Sequence, residues 1–520
     1  MALKRKKERT RCMDHHTVFS CVIRYVHDGV DRNSFSLVCR EWYDLDSLTC
    51  EQLTVQLFYA TTLSSRLSKC FPFIKRLKLK GLKYFRALHE PRLDVTVWIK
   101  EIVTSFDYLE GLDLSYVQVG DENLELLAKT RGQQLRTLLI YECDKFSTNG
   151  LKHICHHCIN LTTFCIQNNQ IFIKDAEWLH ELALHNTCIE KLFFIYRSIK
   201  FDVNDLTLLA KNCSQSLKCV NITCKFSTVD LKNFFNSAVM LEDFNGCNKR
   251  AKKEDYAGFK YPPNMKYMLF KGRTLKDELG LVLPFAHQLI ELELYHVKQD
   301  DQCFLLERCP NLEFLHVSSV YGNNGFKLIA QICKNLRTIK IYGKYVSDKG
   351  LITLAQGCLQ LEEIQIRLQD ISEKALVCLG AHSKNLRSFK MISLDKNNRT
   401  DHIPAEGIRA LLIGCTKLEN LRINLDHRRL TLVGMGYIGE YGHELRCLSL
   451  NFSELTGLEI LSKGCPKLRL LTIEKSEFSK EEDLSFVFDN ITSLRYIYVW
   501  DEEDEHYLTT TRPDFEQVLL

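Results

Sequence analysis

The feature that most constrains this sequence is a short phrase that recurs along it. The copy at 350–366 begins with a Gly-led stretch and ends in Cys-x-x-Leu-x-x-Ile-x-Ile, and related copies lie at 325–341, 407–423 and 457–473. A phrase that returns every few tens of residues is the signature of a repeat architecture. The sequence therefore predicts a repeat array in place of the several separate domains that 520 residues would otherwise form.

The first apolar position of this phrase can be followed along most of the chain. Most steps between successive positions are about 23–28 residues, which is the period of a leucine-rich repeat. The array therefore has about 17 repeats over residues 56–520. The positions are Ile74, Leu109, Leu135, Leu161, Ile189, Leu217, Leu241, Met265, Leu289, Leu312, Leu336, Leu361, Leu386, Leu418, Leu445, Leu468 and Leu494.

Each repeat combines two periodicities. Its end alternates like a strand, while Leu351, Leu354 and Ala355 have the spacing of a buried helix face. This predicts an α/β leucine-rich-repeat solenoid, a horseshoe with short strands inside and helices outside. Because no repeat buries its apolar face alone, we expect the array to unfold as one cooperative unit.

The chain has 22 cysteines, of which six occupy one repeat position, three residues before the first apolar residue. The sequence begins with no secretory signal, so reduced thiols that pack at the helix-to-strand turn are expected. These six are Cys158, Cys309, Cys333, Cys358, Cys415 and Cys465. The cluster His153, Cys155, His156, His157 and Cys158 contains zinc-ligand residue types. It lies in a repeat helix without a second Cys/His pair at finger spacing, so a structural role and no metal are predicted.

Composition excludes several classes of function. The net charge is +4, which does not indicate a nucleic-acid-binding surface, and no apolar run of about 18 residues predicts a membrane span. The chain also lacks a Gly-x-Ser-x-Gly elbow, a phosphate-binding loop and a His-Glu-x-x-His motif, so a non-enzymatic protein is expected.

The N-terminus departs from the repeat. Residues 1–13 form a basic tail, either disordered or a nuclear address, and residues 14–55 contain two amphipathic stretches that predict helices. The second stretch reads Ser36-Leu-Val-Cys-Arg-Glu-Trp42, which resembles an F-box, whereas a helical cap on the first repeat is the simpler alternative. The apolar residues of the two stretches that we expect to contact a partner are Val18, Val22, Val26, Leu37, Val38 and Trp42.

From about residue 14 almost to its end, the chain resembles the plant coronatine-insensitive family, the jasmonate receptors. The segments that carry the resemblance are 31–42, 77–81, 178–187, 350–358, 411–415 and 493–496. The resemblance implies an all-helical F-box that docks on a Skp-type adaptor and through it on a cullin–RING ubiquitin ligase. It also implies recruitment of jasmonate-repressor proteins for degradation, a role in defence, and location in the nucleus or also the cytoplasm. The alternative is a non-ligase interaction scaffold without hormone binding.

Strand alternation places several cations on the inner face of the array. Converging cations favour a polyanion, although charged residues at exposed strand positions also serve solubility. The resemblance implies an inositol polyphosphate at this face. The cations are Lys78, Lys80, Lys340, Lys390 and Arg422.

The hormone pocket implied by the resemblance is altered in this chain. Two of the three carboxylate-binding arginines of the family are replaced by Lys340 and Lys390, and Arg86 is the nearest candidate for the third. Two pocket tyrosines become Arg367 and Asn424, an arginine becomes Glu474, and the aromatic residue near the C-terminal strand becomes Tyr498. Lysine lacks the planar fork of arginine, and an ionised acid donates no hydrogen bond. We therefore expect jasmonoyl-isoleucine to bind more weakly than to a standard member.

Overall fold

The architecture is that of a computed structural model, and the chain divides between Ser216 and Leu217 into two units, each described by itself. The structure describes residues 22–26, 32, 35–57, 64–81, 92–167, 176–195, 201–248, 259–270, 282–294, 299–317, 322–341, 347–368, 371–393, 403–424, 430–450, 458–474, 491–494, 496–501 and 506–511. In that part of the chain, helices long and apolar enough to cross a membrane are absent. The basic tail and residues Val18 and Arg86 lie outside the described residues.

The first unit contains a parallel sheet whose strands follow chain order. Its strands are β1 Gln52–Gln56, β2 Arg76–Lys80, β4 Gly111–Ser115, β6 Thr137–Tyr141, β7 Thr163–Gln167 and β8 Lys191–Ile195. A separate parallel pair consists of β3 Leu93–Asp94 and β5 Val117–Gln118. The helices are α1 Arg40–Thr49, α2 Ser64–Cys70, α3 Thr96–Ser105, α4 Asp121–Arg131, α5 Thr148–His157, α6 Glu177–His185 and α7 Val203–Asn212, preceded by a 3₁₀ turn at Ile23–Tyr25.

The second unit repeats the same arrangement. Its strands are β9 Cys219–Phe226, β10 Asp243–Asn248, β11 Tyr267–Phe270, β12 Glu291–Leu294, β13 Phe314–Val317, β14 Thr338–Ile341, β15 Glu363–Leu368, β16 Ser388–Ser393, β17 Asn420–Asn424, β18 Cys447–Leu450, β19 Leu470–Glu474, β20 Tyr496–Asp501 and β21 His506–Thr511. They pair parallel and in order as far as β20, and β21 is antiparallel to β20. The helices are α8 Thr228–Ser237, α9 Gln299–Leu306, α10 Gly322–Ile332, α11 Asp348–Gly357, α12 Glu373–His382, α13 Ala405–Gly414, α14 Leu432–Tyr441 and α15 Leu458–Gly464, with a 3₁₀ helix at Leu283–Gln288.

The core of each unit lies between its strands and its helices. Every first apolar position predicted from the repeat is at most 2% exposed, including Met265, the weakest match. Within a strand such as β14 the burial alternates, since Ile339 and Ile341 are buried while Lys340 lies at the surface. Burying an aliphatic side chain of this size contributes about 1.5–3 kcal/mol, so the repeated apolar positions stabilise each unit. The predicted α/β leucine-rich-repeat solenoid is confirmed.

The repeat cysteines form a ladder of small polar groups at the helix C-termini. Cys358 caps α11, and its Sγ donates to the carbonyl oxygen of Cys333 one repeat earlier, at 3.6 Å. Cys415 does the same to Ser383 at 3.3 Å. Burial raises the pKa of Cys333 and Cys415 to about 12, so these side chains are neutral thiols. The predicted packing role of the repeat cysteines is confirmed, and the described cysteines are all unbridged.

Asn186 takes the place of the repeat cysteine after α6. It is fully buried, and its Nδ2 donates to Leu161 O at 3.1 Å. Its Oδ1 accepts from the backbone N–H groups of Cys188 and Ile189 at 2.8 and 2.9 Å. One side chain therefore satisfies three backbone groups at a buried turn.

Helices of neighbouring repeats approach each other closely at glycines. A Cβ atom added to Gly414 of α13 would overlap the carbonyl oxygen of Gly380 in α12. A Cβ atom on Gly464 of α15 would overlap Gly439 of α14 in the same way. These glycines are therefore required by helix contact, since a larger residue would push the two helices apart.

Candidate functional site

The N-terminal segment is held together by a buried ion pair. Arg32 Nε donates to Asp46 Oδ1 at 2.6 Å, and the two side chains are only 15% and 12% exposed. Arg32 Nη2 also donates to Asp46 O at 3.1 Å and to Thr49 Oγ1 at 2.8 Å. The guanidinium thus satisfies a carboxylate and a carbonyl near the C-terminus of α1, where a cation is favourable. Arg32 lies in the segment 31–42 that carries the family resemblance, but its ion pair with Asp46 was not predicted from the sequence.

Three aliphatic side chains of the N-terminal segment are exposed. Leu37 and Val38 are 71% and 60% exposed, and Val22 is 49% exposed, although all three are aliphatic. Trp42 is half-buried because its ring stacks on Phe35, with centroids 4.0 Å apart and planes inclined by 24°. We call Val22, Leu37 and Val38 the apolar surface. Exposed apolar side chains of this kind are typical of a surface that a partner covers.

Two apolar residues at the 3₁₀ turn are less exposed than the apolar surface. Val26 is half-buried after the 3₁₀ turn, while Ile23 in that turn is fully buried. The contact of Phe35 with Trp42 was not predicted from the sequence. The signal that could have indicated it is the pair of aromatic residues seven positions apart at the start of α1. Trp42 therefore supports the local fold as well as lying near the apolar surface.

The strand-face cations of the first unit are Lys78 and Lys80 on β2. Lys78 Nζ lies 2.7 Å from Asp113 Oδ2 on β4, the residue directly opposite in the strand register. Asp113 also accepts from Ser115 Oγ at 2.7 Å. Lys80 is opposite Ser115 in the same register. The positive charge of Lys78 is thus partly compensated, whereas Lys80 is next to a neutral position.

The second unit aligns three cations across consecutive strands. The register runs from Lys340 on β14 through Gln365 on β15 to Lys390 on β16 and Arg422 on β17. All four side chains are half-buried. Parallel strands lie about 4.8 Å apart, so Lys390 and Arg422 are adjacent and Lys340 is about two strand spacings from Lys390. We call Lys340, Lys390 and Arg422 the cation row.

Acidic residues lie next to the cation row and lower its net charge. Lys390 Nζ donates to Glu363 Oε1 at 3.2 Å, with side chains 29% and 28% exposed. Burial raises the pKa of Glu291, an effect that nearby Lys340 partly offsets. The row is therefore a half-buried cationic strip in which any anionic ligand competes with internal carboxylates.

Three residues implied for a hormone pocket, Arg367, Asn424 and Glu474, lie on the alternate strands β15, β17 and β19. Arg367 lies two residues after Gln365 and, through Ile392, shares its register with Asn424. Arg422 pairs through Ser449 with Thr472, which is opposite Tyr498, and Glu474 follows Thr472 by two residues. Arg367, Asn424 and Glu474 therefore follow the cation row by the same offset.

Comparison with known proteins identifies a family model and relatives similar to this chain. The F-box family model matches residues 12–52. Coronatine-insensitive protein 1 of Arabidopsis thaliana is 35% identical over 506 residues, which cover 93% of this chain and 85% of that protein. Coronatine-insensitive protein homolog 2 of Oryza sativa subsp. japonica is 33% identical over 508 residues, covering 92% of this chain and 85% of that protein.

A solved leucine-rich-repeat protein of Leptospira interrogans is also similar. It is 15% identical, covers 87% of this chain and 96% of its own, and superposes with a TM-score of 0.32. The repeat fold of the present chain is established by its own strand register and buried positions. In this chain the match to the F-box model, at residues 12–52, precedes the repeats. Because the Arabidopsis relative matches nearly the whole chain at 35% identity, the chain belongs to the coronatine-insensitive family, as an F-box leucine-rich-repeat protein.

Proposed function

We propose that this protein is the substrate-recruiting subunit of a Skp–cullin–F-box ubiquitin ligase and performs no catalysis itself. The F-box would bind a Skp-type adaptor, and the repeat array would present a protein substrate. The observation that carries the proposal is the apolar surface, where Leu37 and Val38 remain 71% and 60% exposed within the segment that matches an F-box. An aliphatic surface of this kind gains stability when a partner removes it from water.

The test is adaptor binding by the full chain carrying Val38→Asp. A carboxylate at the centre of an apolar contact should weaken adaptor binding by more than a hundredfold, or about 3 kcal/mol. The matched control is Val229→Asp, because Val229 is 68% exposed on α8 in the second unit. Equal adaptor binding by wild type and Val38→Asp would favour the alternative, an interaction scaffold outside a ligase.

Trp42→Ala is a second variant with a different expected cause. Since Trp42 stacks on Phe35, its removal should disturb the segment around α1 as well as the partner contact. Loss of adaptor binding in Val38→Asp without a change in the melting temperature therefore separates the surface effect from a folding effect.

We further propose that the cation row binds a polyanionic ligand of the inositol polyphosphate class. The three cations share one register row and are half-buried, which strengthens their attraction for phosphate relative to fully exposed side chains. Binding of a phosphate to Lys390 would break its ion pair with Glu363. The free energy gained on ligand binding is therefore reduced by the loss of that ion pair. Lys78 and Lys80 of the first unit are proposed anion contacts on the same grounds of charge and strand-face position.

The proposal predicts that inositol hexakisphosphate raises the melting temperature of the purified full chain. The rise should fall with added salt, because exposed charges are screened over about 8–10 Å at physiological ionic strength. Lys390→Ala combined with Arg422→Ala should remove most of the rise, whereas Lys374→Ala, an exposed lysine on α12, should not. An equal rise in all three proteins would contradict binding at the cation row.

As for the hormone, we propose that jasmonoyl-isoleucine binds weakly or not at all. Lys340 and Lys390 offer point charges in place of forked guanidinium groups, and Glu474 adds a carboxylate at a position where the family has a donor. An unpaired buried polar group costs about 1–3 kcal/mol, and each 1.4 kcal/mol is about tenfold in affinity. Several such losses would exceed a thousandfold unless Arg367 or Arg86 compensates.

Labelled jasmonoyl-isoleucine with a repressor peptide is the measurement, compared between wild type and the double variant Glu474→Arg, Asn424→Tyr. The double variant should gain binding because it restores a donor on β19 and a phenol on β17. Wild-type affinity equal to that of a standard receptor would contradict the proposal.

A further inference from the structure

Histidine and glutamate side chains from two neighbouring helices converge on the outer layer of the first unit. His156 lies in the last turn of α5, and Glu181 and His185 lie one turn apart on α6. Glu181 Oε2 is 3.5 Å from His156 Nδ1 and 3.3 Å from His185 Nε2. The two imidazole rings are 4.5 Å apart and inclined by 75°. One atom from each of the three side chains lies within 4.8 Å of the others.

The distances suit a small divalent cation. In a tetrahedral zinc site the metal–nitrogen and metal–oxygen bonds are about 2.0–2.2 Å, so neighbouring ligand atoms lie about 3.4 Å apart. Both histidine–glutamate distances, 3.5 and 3.3 Å, match that edge. The third edge, between ring nitrogens of the two histidines, is at most 4.8 Å, and the site requires these side chains, which are 54% and 35% exposed, to rotate towards each other.

The backbone already supplies the spacing. Residues four apart in a helix lie on the same face, which brings Glu181 and His185 together without any change of the main chain. The third ligand comes from the preceding repeat, so a bound ion would connect α5 to α6. We propose that His156, Glu181 and His185 form a zinc-binding site, with water as the fourth ligand, that cross-links these two repeats.

The donor set selects the class of metal. Two imidazole nitrogens and one carboxylate oxygen favour zinc and related late transition metals, whereas magnesium and calcium prefer oxygen ligands. The neighbouring Cys155 and Cys158 are fully buried, whereas His156, Glu181 and His185 are exposed or half-buried. The two sulfur atoms therefore lie in the core of the repeat, apart from the solvent-accessible cluster.

Other histidines nearby have different partners. His153 Nε2 faces Glu125 of α4 at 3.8 Å. His180 directly precedes Glu181 in the chain but lies outside the cluster. Its Nδ1 is 2.7 Å from Asp205 Oδ1 on α7. His180 is 51% exposed, so it is a matched control for the loss of a surface histidine.

The test is zinc titration of the full chain after removal of metals with a chelator, followed by calorimetry in excess magnesium and a phosphine reductant. Wild type should bind one zinc ion, and Glu181→Gln and His156→Gln should each weaken binding at least tenfold. His180→Gln should bind like wild type. Zinc should also raise the melting temperature of wild type and His180→Gln only.

Cobalt provides an independent reading of the ligands. A tetrahedral cobalt spectrum without sulfur-to-metal charge transfer should appear in wild type and disappear in Glu181→Gln. A spectrum with thiolate bands would overturn the proposal, because the ligands would then be cysteines. Binding that is equal in wild type and Glu181→Gln, or that is lost in His180→Gln, would overturn it as well. The variants alter exposed or half-buried side chains, and equal melting temperatures without metal confirm that they fold.

Discussion

At the scale of single residues, the repeat uses different side chains for one task. The position three residues before the first apolar residue holds a cysteine in six repeats, and Asn186 and Ser383 in two others. The cysteine thiol makes a long, weak hydrogen bond to the preceding repeat, such as the 3.6 Å contact of Cys358. The amide of Asn186 makes three shorter ones. The same position therefore contributes unequally to stability along the chain.

We predict that Asn186→Ala lowers the free energy of unfolding by about 3 kcal/mol, because it leaves buried backbone N–H and C=O groups without partners. Cys358→Ala should cost about 1 kcal/mol, since it removes one sulfur atom and one weak hydrogen bond. Urea unfolding of the full chain measures both values. Equal losses in the two variants would show that the amide contributes no more than the thiol.

We also predict that Arg32→Ala destabilises the segment around α1 by about 3 kcal/mol, because it leaves the carboxylate of Asp46 buried without its partner. Hydrogen exchange of the α1 amides in the full chain should become faster, and adaptor binding should fall. Arg40→Ala is the control, since Arg40 is exposed at the start of α1. The double variant Arg32→Ala, Asp46→Ala should recover part of the loss, and no recovery would argue against the ion pair as the cause.

At the scale of elements, the repeat spacing of the helices depends on glycine contacts. Gly414 in α13 meets the backbone of Gly380 in α12, whereas Gly436 in the interior of α14 has no atom within 4 Å of an added Cβ. A side chain is therefore excluded by the neighbouring helix at Gly414, whereas there is space for one at Gly436.

Gly414→Ala should lower the free energy of unfolding by about 1–3 kcal/mol, because the methyl group forces two helices apart. Gly436→Ala should raise it by about 0.5–1 kcal/mol, because alanine has less conformational entropy to lose than glycine in a helix. Denaturant unfolding of both variants is the measurement. A stabilising Gly414→Ala would mean that α12 and α13 can separate without cost.

Elements with strong periodicity were predictable, and their side-chain partners were not. The apolar positions of the repeat predicted the strands because burial on one face imposes a period of two. In β16 the alternation leaves Lys390 half-buried between two buried apolar neighbours. Its compensating partner Glu363, on the preceding strand, depends on register between repeats, which a linear pattern does not contain. The cluster around Glu181 was missed for the same reason, whereas the stacking of Phe35 on Trp42 depends on the local fold of the N-terminal segment.

At the scale of the whole molecule, the repeat pattern predicts one cooperative unit, whereas the contacts divide the chain into two units. The division between Ser216 and Leu217 falls inside one repeat, since Leu217 is itself a first apolar position. In a repeat array stability is a sum of repeat and nearest-neighbour terms, so cooperativity depends on the weakest junction. The sequence-based prediction of one cooperative unit is therefore open to a direct test.

We predict a single calorimetric transition in which Asn186→Ala in the first unit and Gly414→Ala in the second lower the same melting temperature. Agreement between the calorimetric and van't Hoff enthalpies is the criterion. Two transitions, each moved by only one of the variants, would show that the units unfold independently. Wild-type protein scanned at two heating rates serves as the control for reversibility.

The ladder of buried repeat cysteines has a consequence for the protein's reactivity. Only the thiolate attacks electrophiles and oxidants, and a thiol with a pKa of about 12 is ionised in about one molecule in 10⁵ at neutral pH. Cys309 and Cys465 are such thiols, whereas Cys39 is exposed on the F-box. Alkylating reagents should thus modify Cys39 well before the ladder thiols, and the ladder itself should resist oxidative cross-linking while the chain stays folded.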